Sequence, residues 1–392
     1  MIKIKTYPAK EGDALLVSAD NENLNVLIDM GPADTYSKHI KKDLLKLNSC
    51  GKTIDLLVVT HVDNDHISGV LEFIKDNKEN SNIIPVREVW HNSYRHMQFD
   101  RADYELDRDE TNTLKQICSQ NICSDDKHGL NDVAIDEGIT LASLLYRYSY
   151  SWNESLKGKA IRNSPNLVDI SSKAKIRIVS PNEKKLGKLE KKWKHKLESE
   201  KYDFTLNDDK IFDDAFELYI KNCEITSEIN DISNNNENLT FKELINLKGR
   251  DGSVTNGSSI AFILEHKDNK LLFLGDAHED NIYDELKSLE ETGYELNFDL
   301  VKLSHHGSNN NISNRLLNLI SCQKYLISTN GKHNHPNLAT IAKIVSINSG
   351  VEIITNYHHE KLDNFRSNLP DTIARFNIIT ANEFFIGQEN EN

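Results

Sequence analysis

A short turn in the N-terminal quarter of the chain concentrates side chains that can bind metal ions. Within six residues the sequence places two histidines, His61 and His66, and two aspartates, Asp63 and Asp65. Imidazole nitrogens and carboxylate oxygens suit zinc, manganese or iron. Closed structural zinc sites usually include cysteine ligands, and no cysteine accompanies these four residues. The spacing therefore predicts an open metal site that could carry out catalysis.

Further ligand-type residues lie far away along the chain. Asp276 and the pair His305–His306 each directly follow an apolar run of strand length. Single histidines and aspartates are more often ordinary surface residues, so these positions matter only if the fold brings them to the turn at 61–66. We expect Asp276 and His305 to complete the metal site.

The elements that must position these residues are visible in the hydrophobic pattern. A buried strand is predicted over 55–60, directly before the cluster. Apolar residues at i, i+3, i+4 and i+7 from Ile67 predict a helix directly after it, so the cluster lies at a strand-to-helix junction. Further strands are predicted over 13–17, 24–29, 258–264, 270–276, 298–306 and 325–329, and those over 270–276 and 298–306 end in potential ligands.

The composition is that of a globular protein, with 38% hydrophobic and 28% charged residues in a chain of 392. No run approaches the roughly 20 apolar residues of a membrane-spanning helix, and the N-terminus lacks a signal-peptide pattern, so we expect a cytoplasmic protein without a membrane span. The five cysteines form no CxxC pair and are expected to be free thiols. The net charge of −14 disfavours long duplex nucleic acid unless a basic patch or the metals attract it.

These residues resemble the metallo-β-lactamase superfamily, whose motif HxHxDH is followed by a distant bridging aspartate and a final histidine. A more specific likeness is to soluble relatives of the ComEC/Rec2 hydrolase domain. The likeness covers the two flanks of the chain, about 1–90 and 255–340, and leaves the middle unassigned. It is carried by the turn 60–66 and by Gly12–Leu16, Leu27–Gly31, Leu274–Asp276, His305–Ser308, and Ser328 with His335–Pro336.

The resemblance implies an α/β (α+β) fold, the four-layer αββα sandwich, in which two mixed sheets face each other with helices outside. We expect a single metallo-β-lactamase-fold domain over 1–392, with an insertion of mostly helical character at approximately 93–250. Within that insertion, a lysine-rich run at 184–201 predicts a solvated helix, and an Asn/Glu-rich stretch at 230–238 predicts a loop.

The resemblance also implies two divalent metal ions, with ligands assigned by motif position. His61 and Asp63 face one metal, and Asp65 and His66 face the other. Asp63 stands where the family usually has a second histidine, which hardens the first site toward oxygen ligands. Zinc is the first expectation, and this departure from the family pattern makes manganese the alternative.

The remaining ligands and their supports come from other segments. Asp276 is expected to bridge the two metals. His305 is expected to complete the second site, with His306 as a further candidate beside it. Asp29 is expected to brace the site from behind the ligands.

Other residues are assigned to the surroundings of the metals. His91 follows a predicted strand and is a candidate for the family's third-motif histidine, while Asn256 lies where ComEC-like chains often carry an asparagine before a serine. Asp65 is expected to orient the attacking water. His335 is expected to contact the substrate or donate a proton, with ordinary loop packing as the alternative.

Attack by a metal-activated water on an electrophile is the chemistry that the resemblance implies. The HHGS and late His-Pro motifs favour phosphodiester hydrolysis of a nucleic acid or nucleotide, with Lys332 and His333 as candidate phosphate contacts. Hydrolysis of a lactone, thioester or β-lactam is the alternative, because the metal site alone does not select the substrate. A third hypothesis is a metal-binding protein without turnover, acting with a protein partner in a bacterial system such as a defence operon.

Overall fold

The computed structural model describes residues 1–80, 82–97, 140–199, 239–370 and 375–387, with positions 108, 112, 213, 215–217, 219, 220 and 373. Two large sheets and one two-stranded sheet form the framework of these residues. Their strands are β1 (Ile2–Thr6), β2 (Ala14–Ala19), β3 (Leu24–Met30), β4 (Leu56–Val58), β5 (Val89–Trp90), β6 (Val168–Ile170), β7 (Ala174–Ser180), β8 (Ala261–His266), β9 (Asn269–Phe273), β10 (Asn297–Phe298), β11 (Leu300–Lys302), β12 (Ser321–Cys322), β13 (Lys324–Ile327), β14 (Glu352–Thr355), β15 (Asn377–Thr380) and β16 (Glu383–Ile386).

Both large sheets are mixed. The first has the strand order β16-β1-β2-β3-β4-β5, antiparallel from β16 to β3 and parallel from β3 to β5. The second has the order β15-β14-β13-β11-β9-β8-β7-β6, parallel from β15 to β9 and antiparallel from β9 to β6. The consecutive strands β15 and β16 pair with different sheets and so connect the two at their edges.

Alternate residues along the strands face different layers, because successive side chains of a strand point to opposite sides. In β2, Leu15 and Val17 belong to the core between the two sheets, where they meet residues such as Phe262 of the second sheet. Ala14 and Leu16 of the same strand pack on the outer side, in the core shared with helices. The four-layer α/β sandwich predicted from the sequence is confirmed.

Helices cover the outer faces of the sheets. The helix Asn64–Asn77 buries Val70, Phe73 and Ile74 against the first sheet. The described helices are Ala33–Thr35, Lys41–Ser49, Asn64–Asn77, Tyr94–Met97, Leu141–Arg147, Glu183–Ser199, Phe241–Asn246, Val254–Gly257, Glu279–Glu291, Asn314–Leu319, Leu338–Ile347 and Glu360–Ser367, with a π-helical turn at Tyr36–Ile40 and 3-10 turns at Glu154–Leu156, Ser304–Gly307 and Lys332–Asn334. None of these helices combines the length and the apolar character needed to cross a bilayer.

The stretch 93–250, predicted as a helical insertion, shares the cores of the sandwich where it is described. The helix Leu141–Arg147 packs into the outer core of the first sheet. β6 and β7 also fall within this stretch, and β7 pairs with β8 to extend the second sheet. The lysine-rich run forms the helix Glu183–Ser199, while the predicted loop at 230–238 lies outside the described residues. The division into one domain with an insertion stays a prediction.

Candidate metal centre

The turn at 60–66 joins β4 to the helix Asn64–Asn77, as the sequence predicts. Asp63 caps the helix with an extended backbone, φ −69° and ψ 143°, and so marks the change of direction. His61 on the strand side and His66 in the first helical turn are thereby brought together, with ring centroids 4.3 Å apart. Asp63 Oδ2 lies 3.3 Å from His61 Nε2.

Asp276 lies where three imidazole rings converge. Its Oδ2 atom is 3.9 Å from His61 Nε2, 3.6 Å from His66 Nε2 and 3.6 Å from His306 Nε2. Asp65 Oδ2 lies 3.8 Å from His66 Nε2 and 3.9 Å from His306 Nε2. Two overlapping groups of side chains can therefore each hold a metal ion, His61, His66 and Asp276 in one, and Asp65, His66 and His306 in the other.

Asp29 lies behind the turn and is hydrogen-bonded to two of its residues. Its carboxylate accepts hydrogen bonds from His66 Nδ1 at 2.8 Å, from the Thr60 backbone N–H at 2.8 Å and from Thr60 Oγ1 at 2.6 Å. Because the Thr60 hydroxyl donates its hydrogen to Asp29, it accepts from His61 Nδ1, 2.9 Å away. Both rings therefore present Nε2 with its lone pair toward Asp276.

The consecutive residues His305 and His306 have different partners. Both have a left-handed backbone, with φ of 47° and 55°, which turns the chain sharply after β11. His306 Nδ1 donates to the Ser328 carbonyl at 2.8 Å, so that its Nε2 faces Asp276. His305 Nδ1 instead lies 3.4 Å from Asp251 Oδ2. Thus His306 occupies the place in the cluster that the sequence assigned to His305, because two successive left-handed residues direct adjacent rings to different sides.

Buried atoms without partners show that the residues fit a metal ion. His61 Nε2, His66 Nε2 and Asp276 Oδ1 are buried and have no hydrogen-bond partner among the described residues. Leaving such an atom unsatisfied costs about 1–3 kcal/mol. A divalent cation among them would use all three lone pairs, and this mixture of imidazole nitrogen and carboxylate oxygen suits a transition metal.

The electrostatics of the cluster also favour positive charge beside its carboxylates. Burial on its own would lower the pKa of His66, but the carboxylates of Asp65, Asp276 and Asp29 raise that pKa well above its ordinary value. Burial would raise the pKa of Asp276, but His306 and His66 hold it well below its ordinary value. The buried carboxylates thus require positive charge beside them, which protonated imidazoles or bound metal ions can supply.

A buried ion pair lies beneath the cluster and is absent from the residues predicted for the site. Lys302 Nζ donates to Asp13 Oδ2, and both side chains are almost fully buried. Asp13 Oδ1 lies 3.5 Å from His306 Nδ1. One signal could have revealed the pair, because Lys302 is a lone charge within the apolar run of β11.

His91 lies in a different environment from the one predicted for a third-motif ligand. Its Nε2 atom is 2.9 Å from Glu217 Oε1, and its ring stacks on Trp152 with centroids 6.0 Å apart. Glu217 Oε2 also accepts the backbone N–H of Leu141, at the start of a helix. No candidate metal group within the described part of the chain includes His91.

His335 and Asn256 lie beside the cluster without belonging to a candidate metal group of the described residues. The His335 ring is 5.1 Å from that of His305 and 6.4 Å from that of His306. Its Nδ1 atom is buried and has no hydrogen-bond partner in the described structure. Asn256 Nδ2 donates to Asp251 Oδ2 at 2.9 Å, so this asparagine supports a neighbour of the ligands.

A cavity of about 390 Å³ adjoins the cluster. Candidate ligands line one part of it, and both His305 and His335 are exposed to it. Basic side chains from segments on either side of the site also line the cavity, namely Lys192, Arg250, Lys332 and His333, together with the acidic Glu11. Lys192 and Arg250 come from the stretch that the resemblance leaves unassigned, which is why motif comparison alone did not find them.

Comparison with known proteins supports the family at sequence level. Residues 9–116 match the model of the metallo-β-lactamase superfamily. No functionally curated protein matches the chain. Among solved structures, a mutant of CmlA beta-hydroxylase shares 10% identity over 90% of this chain and 45% of its own, with a TM-score of 0.33. A protein of unknown function from Enterococcus faecalis shares 7% identity over 97% of this chain and 88% of its own, with a TM-score of 0.28.

The matched segment contains Asp29 and the whole turn at 60–66. Likenesses as low as those to the two solved structures establish neither fold nor function, and the chain spans only 45% of the first. The ComEC/Rec2-like subtype stays a prediction. The resemblance to the metallo-β-lactamase superfamily is confirmed over residues 9–116, which match the model of that superfamily.

Proposed function

We propose that the protein is a metal-dependent phosphodiesterase or nuclease, acting on a nucleic acid or a nucleotide. The family match and the His/Asp clusters support a metal-dependent hydrolase. The observation that carries the finer proposal is the cavity over the cluster, in which candidate metal ligands and basic side chains line one space.

We propose that this arrangement of side chains holds two metal ions. We assign His61, Asp63 and Asp276 to one ion, because Asp63 and Asp276 both lie within 4 Å of His61 Nε2. Asp65 and His66, with His306 and again Asp276, would hold the other. Zinc is the first candidate and manganese the second, because carboxylates make up half of this set. When bound, such ions acidify a water molecule and stabilise developing negative charge.

The basic lining supports an anionic substrate. In a chain of net charge −14, a local group of cations beside the ligands would attract a phosphodiester that the overall charge repels. Arg250 is exposed at the cavity, and its planar guanidinium suits the paired oxygens of a phosphate. Lys332 lines the same cavity, where Glu11 pairs with it at 2.7 Å and offsets part of its charge.

Two side chains would act directly on the reacting groups. Asp65 lies at the cavity within 4 Å of two imidazoles, and we assign it the orientation of the attacking water. His335 faces the same cavity, where burial, together with His305 and His306, holds its pKa well below the ordinary value. A ring that is neutral at pH 7 favours substrate contact over proton donation.

The test is hydrolysis of single-stranded DNA, RNA and cyclic nucleotides by the metal-loaded protein. We expect turnover that is lost in Asp65→Ala and His66→Ala and retained in His358→Ala, whose ring is 71% exposed. Equal turnover in all variants would assign the activity to a contaminant. Ester hydrolysis without phosphodiester hydrolysis would move the assignment to a carbonyl hydrolase, and bound metal without any turnover to a metal-binding partner protein. Cytoplasmic location and a protein partner stay predictions.

A further inference from the structure

Asp251 is a buried carboxylate that gathers donors beside the candidate metal centre. Its Oδ2 atom accepts from Asn256 Nδ2 and from Asn311 Nδ2, both at 2.9 Å, and its Oδ1 atom accepts from the Ser253 backbone N–H at 2.8 Å. His305 Nδ1 lies 3.4 Å from Oδ2. The carboxylate is therefore fixed by three hydrogen bonds and is not free to move away from the histidine.

The same carboxylate connects both ligand-bearing turns of the second sheet. His278, two residues after Asp276, places its Nε2 atom 3.6 Å from Asp251 Oδ1. His305 directly precedes His306 in the other turn. Asp251 therefore lies against the neighbours of two candidate ligands without being close enough to join a candidate metal group of the described residues.

The orientation of His305 leaves one ring nitrogen for a ligand. Its Nδ1 atom faces Asp251 and the side-chain oxygen of Asn311, 3.1 Å away. Nε2 is the nitrogen that remains. The side chain is 20% exposed and lines the cavity next to His335. A ring held in this way presents a fixed polar atom to whatever occupies the cavity.

The backbone at this position favours a role for the side chain. His305 has φ 47°, a left-handed conformation that glycine adopts at no steric cost and that costs other residues about 1–2 kcal/mol. Strain of this kind at a cavity wall indicates a side chain that is used. The next residue, His306, has the same conformation and faces the metal cluster.

We propose that His305 contacts the substrate phosphate through Nε2 and that Asp251 is the positioning residue that orients its ring. This inference rests on the proposed phosphodiesterase function and deepens it. It adds a phosphate contact beside the metal ligands, at the wall of the cavity that His335 shares.

Two neighbouring glycine variants test the proposal. His305→Gly and His306→Gly remove adjacent rings from the same left-handed backbone, so neither strains the turn. We expect His305→Gly to keep the wild-type metal content in elemental analysis, while binding of inorganic phosphate in calorimetry weakens about 10- to 100-fold. We expect His306→Gly to lose metal. Added imidazole should restore part of the phosphodiester turnover of His305→Gly only.

A second variant tests the positioning role. Asp251→Asn keeps the size of the side chain and one oxygen acceptor. We expect it to lower kcat with little change in metal content, and to add no further loss when combined with His305→Gly, because the two residues act as a unit. An additional loss in the double variant would show that Asp251 acts independently of His305.

Two results would overturn the proposal. Metal loss in His305→Gly equal to that in His306→Gly would make His305 a ligand, and unchanged phosphate binding would remove its substrate contact. Absence of phosphodiester turnover in the wild-type protein would instead contradict the proposed function. In that case, the difference in phosphate binding between the metal-loaded wild-type and His305→Gly proteins still tests the role of His305.

Discussion

The two sheets contribute to the candidate metal centre in different ways. The first sheet supplies four ligand-type side chains from one turn after β4, braced by Asp29 of the adjacent strand β3. The second sheet supplies single residues, Asp276 after β9 and His306 after β11. These come together because β9 and β11 are parallel neighbours, so their carboxyl ends lie at the same edge. A local cluster can be found in the sequence, whereas the second half of the site exists only once the strands pair.

The largest effect is expected at the residue where the two halves meet. Asp276→Asn keeps the shape of the side chain but removes the charge on which three imidazole nitrogens converge. We expect metal affinity to fall by at least about 1000-fold, more than the 10- to 100-fold typical of residues behind the ligands. Elemental analysis measures this, with Asp280→Asn on the following helix as the control. Retention of metal by Asp276→Asn would show that the residues from the first sheet bind the metal without the carboxylate from the second sheet.

The next prediction concerns the ion pair that joins the sheets, between Asp13 at the start of β2 and Lys302 in β11. Lys302→Met leaves a buried carboxylate without its partner, and we expect the free energy of unfolding in urea to fall by about 3–5 kcal/mol. The exposed pair Lys38–Asp34 is the control, and Lys38→Met should leave the urea midpoint close to that of the wild-type protein. Equal losses of unfolding free energy in the two variants would show that the buried ion pair stabilises the protein no more than an exposed pair does.

A smaller effect is expected for the brace behind the turn. Asp29→Asn retains one acceptor for the Thr60 donors but removes the charge that holds His66 Nδ1. We expect metal affinity to weaken about 10- to 100-fold, without loss of the fold, when measured by competition with a chelator. An unchanged affinity would mean that the turn orients His66 without Asp29.

The smallest effect on the metal is expected at His91. Its ring is held by Glu217 and Trp152, so His91→Gln should lower stability while metal content stays at the wild-type level. Elemental analysis on the folded variant decides this. Metal loss comparable to that of Asp276→Asn would show that His91 is a metal ligand after all.

The strand, turn and helix that carry the first half of the candidate site could be predicted from the sequence, because the residues that specify them are close together along the chain. The apolar run before Thr60, the helical spacing after His66 and the ligand types between them are all contained in about twenty residues. The family resemblance then predicted the sandwich. β6 and β7 were missed although Ala174, Ile176 and Ile178 alternate with charged residues, because no ligand or motif marked that short run.

The second half could not be completed from sequence, because its details depend on backbone conformation and distant contacts. Whether His305 or His306 faces the candidate ligand cluster is decided by two successive left-handed residues, which no residue type in the motif predicts. Asp251 lies in the stretch without family likeness, and only folding brings it to His305. Likewise, the charge that offsets the buried Lys302 is that of Asp13, 289 positions away along the chain.

The most direct test of the central claim is the metal content of tag-free protein measured by inductively coupled plasma mass spectrometry, beside a His61→Ala/His66→Ala double variant. His66 belongs to both ligand groups and His61 to one of them, and the Nε2 atoms of both rings are buried and have no hydrogen-bond partner in the described structure. We predict two equivalents of a divalent transition metal in the wild-type protein and none in the folded variant. Absence of metal from both proteins, or equal metal in both, would contradict the assignment of this cluster as the metal centre.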